Sequence, residues 1–254
     1  MKKILIIVLS LIFVVSASLV IRDLYLYNLD KELYKDIQEN KPKVSYIKEE
    51  DTVPKQEEET DEVESDETIE LTEEEKELLR INSDYKFWIT INETNVDYPV
   101  VQTDNNDYYL DHNFTGEDSK AGTIFADYRN DISEDKNIVI YGHFMKNRTM
   151  FSDIAQYKKE DFFNDKSKYI SIMVGNKEYK YEVFSAYPIR ANEIVIPLDF
   201  ENDIEYLRYL EGLVDLSLQK KDVNFDTDKK MITLVTCSYE WDDTRTLVHA
   251  IPLD

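Results

Sequence analysis

Residues 4–21 form an unbroken apolar run without a charge, Gly or Pro, behind Lys2 and Lys3. As a helix rising about 1.5 Å per residue it is roughly 27 Å long, just enough to cross a bilayer core. Two lysines before the run and an Arg22-Asp23 pair after it predict an N-terminus inside, with everything beyond Ile21 outside the cytoplasm. Ser16-Ala17-Ser18 offers the small residues of a cleavable signal peptide. The run is longer than a usual signal core and continues past Ser18, which favours an uncleaved single-pass anchor over 1–21. Leu26, Leu29, Leu33 and Ile37 then recur at helical spacing, so 22–47 is expected to be an extracellular stalk, helical to roughly Asn40. From 48 to 77 the chain holds 16 acids, three lysines, four aliphatic residues and no aromatic one. That is too little apolar surface to offset ordering entropy, so 48–71 reads as a disordered spacer.

The folded domain is expected over 72–254. Thr72 with Glu75 three residues on, ahead of Leu78 and Leu79, is a capping-box pattern opening a short helix. Short apolar runs bounded by polar turns follow, and read as strands at 87–91, 98–101, 122–126 and 137–141. A further pair is expected at 168–173 and 179–187. Ile204, Leu207, Leu210, Val214 and Leu218 predict one face of a helix between Asp203 and Gln219. Strands at 231–236 and 245–251, joined by a polar loop, finish the chain. Many short strands with few helices predict a mainly β fold, a closed and mainly antiparallel barrel.

Charge and composition remove several functions. The 254 residues carry 30 basic and 53 acidic side chains, a net charge of −23, which argues against a nucleic-acid partner. The acidic segment accounts for −13 of this and reads as a solvated tether. Only five glycines occur, none in a G-x-G or G-K-[ST] spacing, which excludes Rossmann and P-loop phosphate cradles. A single cysteine excludes an internal disulfide and a Cys-based zinc site. No H-x-H, H-E-x-x-H or EF-hand order exists, so no metal is expected.

Three side chains could do chemistry. Cys237 stands at the end of the apolar strand Met231-Ile232-Thr233-Leu234-Val235-Thr236 and before Ser238, Glu240, Asp242 and Asp243. A free cysteine is most often a small buried hydrophobe. Against this, a thiol outside the cell is exposed to oxidation, so its retention asks for a function. On these grounds nucleophile and packed bystander are equally served. A thiol nucleophile needs a proton-transfer partner. His143 follows the strand ending Tyr141-Gly142 and so also lies at a strand end. His249, inside the last strand, reads as a packed imidazole, and His112 as a loop residue. Arg245 opens the final strand eight residues after Cys237, near enough for a guanidinium to favour thiolate and to bind an oxyanion. A surface pair with Asp242 or Asp243 serves the same spacing. Glu240, Asp242 and Asp243 oppose Arg245, so only a minor fraction of the chain is expected to hold thiolate and imidazolium together at neutral pH.

Thr233-Leu234-Val235-Thr236-Cys237 followed by Arg245 resembles the T-L-x-T-C…R signature of sortases, the membrane-anchored cysteine transpeptidases of Gram-positive bacteria. Tyr141-Gly142-His143 with Met150-Phe151 is similar to the stretch bearing the family histidine. Trp88-Ile89-x-Ile91 and Tyr98-Pro99-Val100-Val101-Gln102 are similar to its opening strands. The resemblance covers roughly 86–253. The stretch Tyr108-Tyr109-Leu110…Asn113-Phe114 and the helix at 203–219 point to class B. It implies a closed eight-stranded barrel with a short N-terminal helix and one long helix between late strands. By position, it implies Cys237 as nucleophile, His143 as proton carrier, Arg245 as oxyanion and carbonyl holder, and Thr236 as an aid in binding substrate. The substrate would be a secreted protein with a C-terminal sorting motif of the N-P-x-T-x kind, cleaved after Thr through a thioester. The acceptor would be a peptidoglycan amine, and no cofactor is implied. Two other readings are a hydrolytic cysteine peptidase and a non-catalytic wall-binding module. Cys237 lacks the Q-x-x-x-x-x-C-W context of papain-like enzymes, and the five-position signature disfavours the second.

Overall fold

A computed structural model describes residues 2–43, 70–238 and 243–253, with Asp23, Cys237 and Ser238 described by their backbone alone. The expected acidic spacer therefore lies almost wholly outside the described residues, as do Glu240 and Asp242.

The apolar run and the stalk pattern are one helix, α1 (Lys2–Gln38), long and apolar enough to cross a membrane. Its last turns lie against the folded domain: Tyr34 and Ile37 are buried, and Gln38 Nε2 donates to the Asp97 carbonyl at 3.0 Å. The short helix α2 (Glu73–Ile81) carries the capping box in both directions: Thr72 Oγ1 accepts from the Glu75 amide and Glu75 accepts from the Thr72 amide. The Glu75 carboxylate is fully buried, and its second oxygen accepts from the Gly175 amide at 2.9 Å. One side chain thus caps a helix and ties it to the sheet.

Eight strands close into a barrel, as expected: β1 (Tyr85–Ile91), β2 (Asp97–Val101), β3 (Ile124–Ala126), β4 (Asn137–Tyr141), β5 (Ile170–Val174), β6 (Lys177–Arg190), β7 (Met231–Ser238) and β8 (Thr244–Pro252). Their order around the barrel is β1-β2-β3-β4-β7-β8-β6-β5, closed by β1 on β5. Two pairings, β2 with β3 and β4 with β7, are parallel and the rest antiparallel. A parallel pair needs a long crossover. Between β4 and β7 that excursion carries a 3-10 helix (Phe151–Lys158), a one-turn α3 (Glu160–Phe163), strands β5 and β6, and α4 (Asp203–Leu216). The 3-10 helix had no periodic signal in the sequence.

Two apolar layers hold the sheet. One contains Trp88, Ile124, Ile140, Phe151, Leu234 and Val248. The other packs Val139, Phe184, Val235 and Leu247 against α4. The face that α4 buries is Tyr206, Leu210 and Leu213, which corrects the expected stripe: Ile204 and Leu218 are exposed. The helix stops at Leu216, so Leu218 lies beyond it, and Ile204 in its first turn faces solvent. Tyr206, an aromatic residue left out of that stripe, lies against Phe200 with ring centroids 4.8 Å apart.

His249 is the packed imidazole expected. It is fully buried, shares a hydrogen bond with Thr233 Oγ1 at 2.9 Å, and stacks on Tyr187 with centroids 5.5 Å apart. Burial lowers its pKa to about 3. Because the folded pKa lies below the ordinary value of about 6.5, the unfolded chain takes up the proton first. The stability this residue contributes is complete above that value and declines as pH falls towards 3. Unfolding free energy should drop by about 2 kcal/mol between pH 7 and pH 5 on its account. Urea melts of wild type and His249→Phe at both pH values check this. A wild type no steeper than the variant would refute it.

Candidate active site

Strands β4, β7 and β8 are neighbours in the barrel, and the ends of β4 and β7 meet the start of β8 at one rim. Tyr141 pairs with Val235 in the parallel β4–β7 ladder, and the Gly142 amide extends the ladder by donating to the Val235 carbonyl at 3.1 Å. His143 follows two residues past Tyr141, beyond the last paired position of β4. In the antiparallel β7–β8 ladder, Cys237 is the register partner of Arg245.

The Arg245 guanidinium holds Asp243: Nη1 donates to Asp243 Oδ1 at 3.1 Å and to the Thr244 carbonyl at 3.2 Å. The surface pair anticipated from spacing is therefore present. Asp243 has φ 55°, a left-handed conformation that Asp tolerates better than most residues. Thr236 is buried between Val235 and Cys237, and its Oγ1 finds no hydrogen-bond partner among the described residues. An unpaired buried hydroxyl costs about 1–3 kcal/mol, which is unusual enough to ask for a ligand. Its register partner Thr246 is paired, with Lys158 Nζ donating to its Oγ1 at 2.8 Å.

His143 is half-buried, and its Nε2 donates to the carbonyl of Leu110 at 2.6 Å. The neutral ring then carries its proton on Nε2, and the carbonyl fixes its orientation. Several contacts hold the segment that presents it. The Phe151 amide donates to the His143 carbonyl at 3.0 Å, and Phe144 bridges to Met150. The Phe151 ring fills the space over Gly142, where a Cβ would come within 2.8 Å of it. Arg148 Nη2 donates to the buried Asp153 at 2.7 Å, and Asp153 also accepts from the Asn95 amide at 3.0 Å. On the strand side, Tyr141 donates to Asp127 Oδ2 at 3.0 Å, and Arg129 forks onto the same carboxylate at 3.0 and 2.7 Å. Burial pushes the Asp127 carboxyl up, but the bonds from Arg129 and Tyr141 outweigh it and hold it below the usual carboxylate range.

His112 is apart from this cluster. It stacks on Tyr108 at 4.2 Å, its Nδ1 contacts the Tyr108 carbonyl at 2.8 Å, and that carbonyl, ahead of Asp111 and Asp118, raises its pKa. The Leu110 carbonyl, the Gly142–Phe151 contact and the Lys158–Thr246 pair were not foreseen. In a chain with five glycines, each glycine beside a candidate residue was the available signal.

The sequence pattern of the Sortase domain family matches residues 89–252. The chain belongs to the sortase family. Sortase B of Listeria monocytogenes is 36% identical over 174 residues, 68% of this chain and 70% of that protein. Among solved structures, Clostridium perfringens sortase B is 41% identical with a TM-score of 0.68, covering 71% of this chain and all of that one. A Staphylococcus aureus sortase B–substrate complex is 32% identical with a TM-score of 0.67, covering 73% of this chain and 87% of that one. With this fold and these relatives, the sortase is of the B type, a cysteine transpeptidase, and it carries one N-terminal apolar helix long enough to serve as a membrane anchor.

Proposed function

We propose that this sortase attaches secreted proteins to the cell wall from the outer face of the membrane. Residues 1–21 anchor it with the N-terminus inside, 22–47 and 48–71 lead away from the bilayer, and 72–254 carry the chemistry. The observation that supports the reading best is the pairing of Cys237 with Arg245 across β7 and β8, with His143 two residues beyond the end of the neighbouring β4. The Cys237 thiolate attacks the threonine carbonyl of a sorting motif of the N-P-x-T-x kind. Arg245 neutralises the oxyanion, and Thr236 Oγ1, without a partner among the described residues, supplies a hydrogen bond to the substrate. The C–N bond breaks as the His143 imidazolium protonates the departing amine, leaving a thioester. A peptidoglycan amine then attacks the thioester, His143 takes its proton, and Cys237 leaves as thiolate. Because Nε2–H is held by Leu110, the proton that moves sits on Nδ1. An open groove of about 740 Å³, lined by Phe144, Met145, Lys158, Pro188 and Leu218 among others, starts at the residue after His143 and is the cavity we assign to the peptide.

The test is intact-mass spectrometry of the full chain in detergent with a panel of N-P-x-T-x peptides, with and without an added amine. Wild type should gain an acyl mass that the amine removes as amide, and Cys237→Ala should gain none. Release as free acid despite saturating amine would instead indicate a hydrolytic peptidase. Equal adducts on wild type and Cys237→Ala would overturn the assignment.

A further inference from the structure

We propose that Tyr34 and Gly122 are positioning residues for His143, so that the docked end of the N-terminal helix helps to hold the proton carrier in place. The inference rests on the role given to His143 above. The path is three contacts long. His143 Nε2 donates to the Leu110 carbonyl at 2.6 Å. Leu110 ends a 3-10 turn (Tyr108–Leu110), and the loop after it doubles back so that Gly122 lies directly against this turn. A Cβ on Gly122 would stand 2.4 Å from the Tyr109 carbonyl oxygen and 2.9 Å from that of Leu110. Gly122 also has φ +60°, so any side chain there is strained as well as obstructed. The oxygen that orients the imidazole is therefore set by backbone approach at one glycine.

Gly122 is in turn held from α1. Tyr34 Oη donates to the Gly122 carbonyl at 3.0 Å and lies 3.2 Å from Thr123 Oγ1. Its ring is 7% exposed and meets Tyr98 edge to face, with centroids 5.3 Å apart. One turn earlier, Asp30 accepts from Ser119 Oγ at 2.6 Å, and the Ser119 amide donates to the Asp111 carbonyl at 2.8 Å. The Thr123 amide closes the loop on the Tyr109 carbonyl at 3.0 Å. Apolar contact would suffice to park a helix on a barrel. Here polar contacts from α1 converge on the one loop that aims the Leu110 oxygen.

The consequence is a fixed tautomer. With Nε2–H held, the ring presents Nδ1 for proton transfer, and a ring free to turn loses that alignment. Misplacing a reacting group by about 1 Å costs up to about a hundredfold in rate. The experiment uses the full chain in detergent, labelled with 15N-histidine, as wild type, Tyr34→Phe, Gly122→Ala and His143→Ala. Wild type should show the ring-nitrogen shifts of an Nε2-protonated His143, identified by their loss in His143→Ala. Gly122→Ala should move those shifts towards a tautomer mixture and lower kcat for peptide transfer about ten- to a hundredfold, with KM changed less than threefold. Tyr34→Phe should do the same to a smaller extent, about three- to tenfold in kcat. A structural role alone would lower stability and leave the tautomer signal unmoved. Folded Gly122→Ala and Tyr34→Phe proteins with wild-type shifts and kcat overturn the coupling; if Gly122→Ala does not fold, Tyr34→Phe decides. Full transfer by His143→Ala overturns instead the role of His143, and the ring-nitrogen shifts still decide the coupling.

Discussion

Arg245→Ala is expected to lower kcat/KM for peptide transfer by about 10²–10³, the loss seen when a main oxyanion donor is removed. The guanidinium is the cation that the β7–β8 register sets opposite Cys237. In the resting enzyme its Nη1 is on Asp243 and the Thr244 carbonyl, with 31% of the side chain and 69% of that of Asp243 exposed. An ion pair so open to water is worth less than about 1 kcal/mol, so an oxyanion, which binds the fork without water between, displaces Asp243 at small cost. The same exposure predicts that Arg245→Ala melts within a few degrees of wild type. Arg245→Lys keeps the charge but presents a point where the substrate oxygen meets a planar fork, so it should recover less than tenfold of the loss. Steady-state transfer rates with a large excess of amine measure all three proteins. An alanine variant within threefold of wild type would remove Arg245 from the mechanism.

Much of the scaffold was legible because its signals are local. The 137–141 strand matched residue for residue, since a five-residue apolar run between polar turns has few other ways to be buried. The capping box at Thr72 and Glu75 was legible for the same reason, as both partners lie within one turn. That Glu75 also holds Gly175, a hundred residues away, was not, because nothing local distinguishes a buried carboxylate from a capping one. The 3-10 helix at Phe151–Lys158 escaped because its period is neither 3.6 nor 2.

The candidate site divides along the same line. Cys237 and Arg245 lie on one hairpin, so eight residues of spacing were enough to suggest that they meet. His143 lies almost a hundred residues earlier, past the end of β4, the parallel neighbour of β7; its strand-end position was readable from the residues, and its role beside Cys237 rests on the family resemblance. The groups that hold His143 were invisible for a different reason. The Leu110 carbonyl belongs to the backbone, and a backbone acceptor leaves no trace in residue type. What the sequence does record is the space such contacts require, as glycine. Gly122 admits the Leu110 oxygen and Gly142 admits the Phe151 ring, and these are two of five glycines in 254 residues.

Phe151→Ala is expected to destabilise the protein by about 3–5 kcal/mol, the usual cost of emptying a fully buried aromatic site. The ring has no exposed surface, seals Gly142 from above, and begins the 3-10 helix that reaches Lys158 and its contact with Thr246. Its amide is the one that holds the His143 carbonyl, so the damage is not confined to packing. Met150, just before it, has φ 53°, and Arg148 has φ 63°. Two non-glycine residues with positive φ persist only when their surroundings enforce them: Asp153 holds the Arg148 guanidinium, the Tyr98 hydroxyl accepts from the Met150 amide, and the Phe151 amide closes the segment on His143. Once the Phe151 ring is removed, the 144–150 loop should relax and carry His143 out of alignment with Cys237. For a domain of this size the melting temperature should fall by roughly 10 °C or more, and transfer should fall further than stability alone predicts when assayed well below the melt. Phe151→Leu, which keeps most of the volume, should lose about 1.5 kcal/mol or less and retain transfer. Gly142→Ala supplies the decisive comparison: alone it forces a Cβ to within 2.8 Å of two ring carbons and destabilises, whereas in the Phe151→Ala background those carbons are gone and only the Cβ of residue 151 remains close, at 3.2 Å. The two substitutions should therefore be non-additive by about 1 kcal/mol or more in the favourable direction. Differential scanning calorimetry of the two single variants and the double variant measures that coupling, and simple additivity would mean that the ring and the glycine do not share the space the structure gives them.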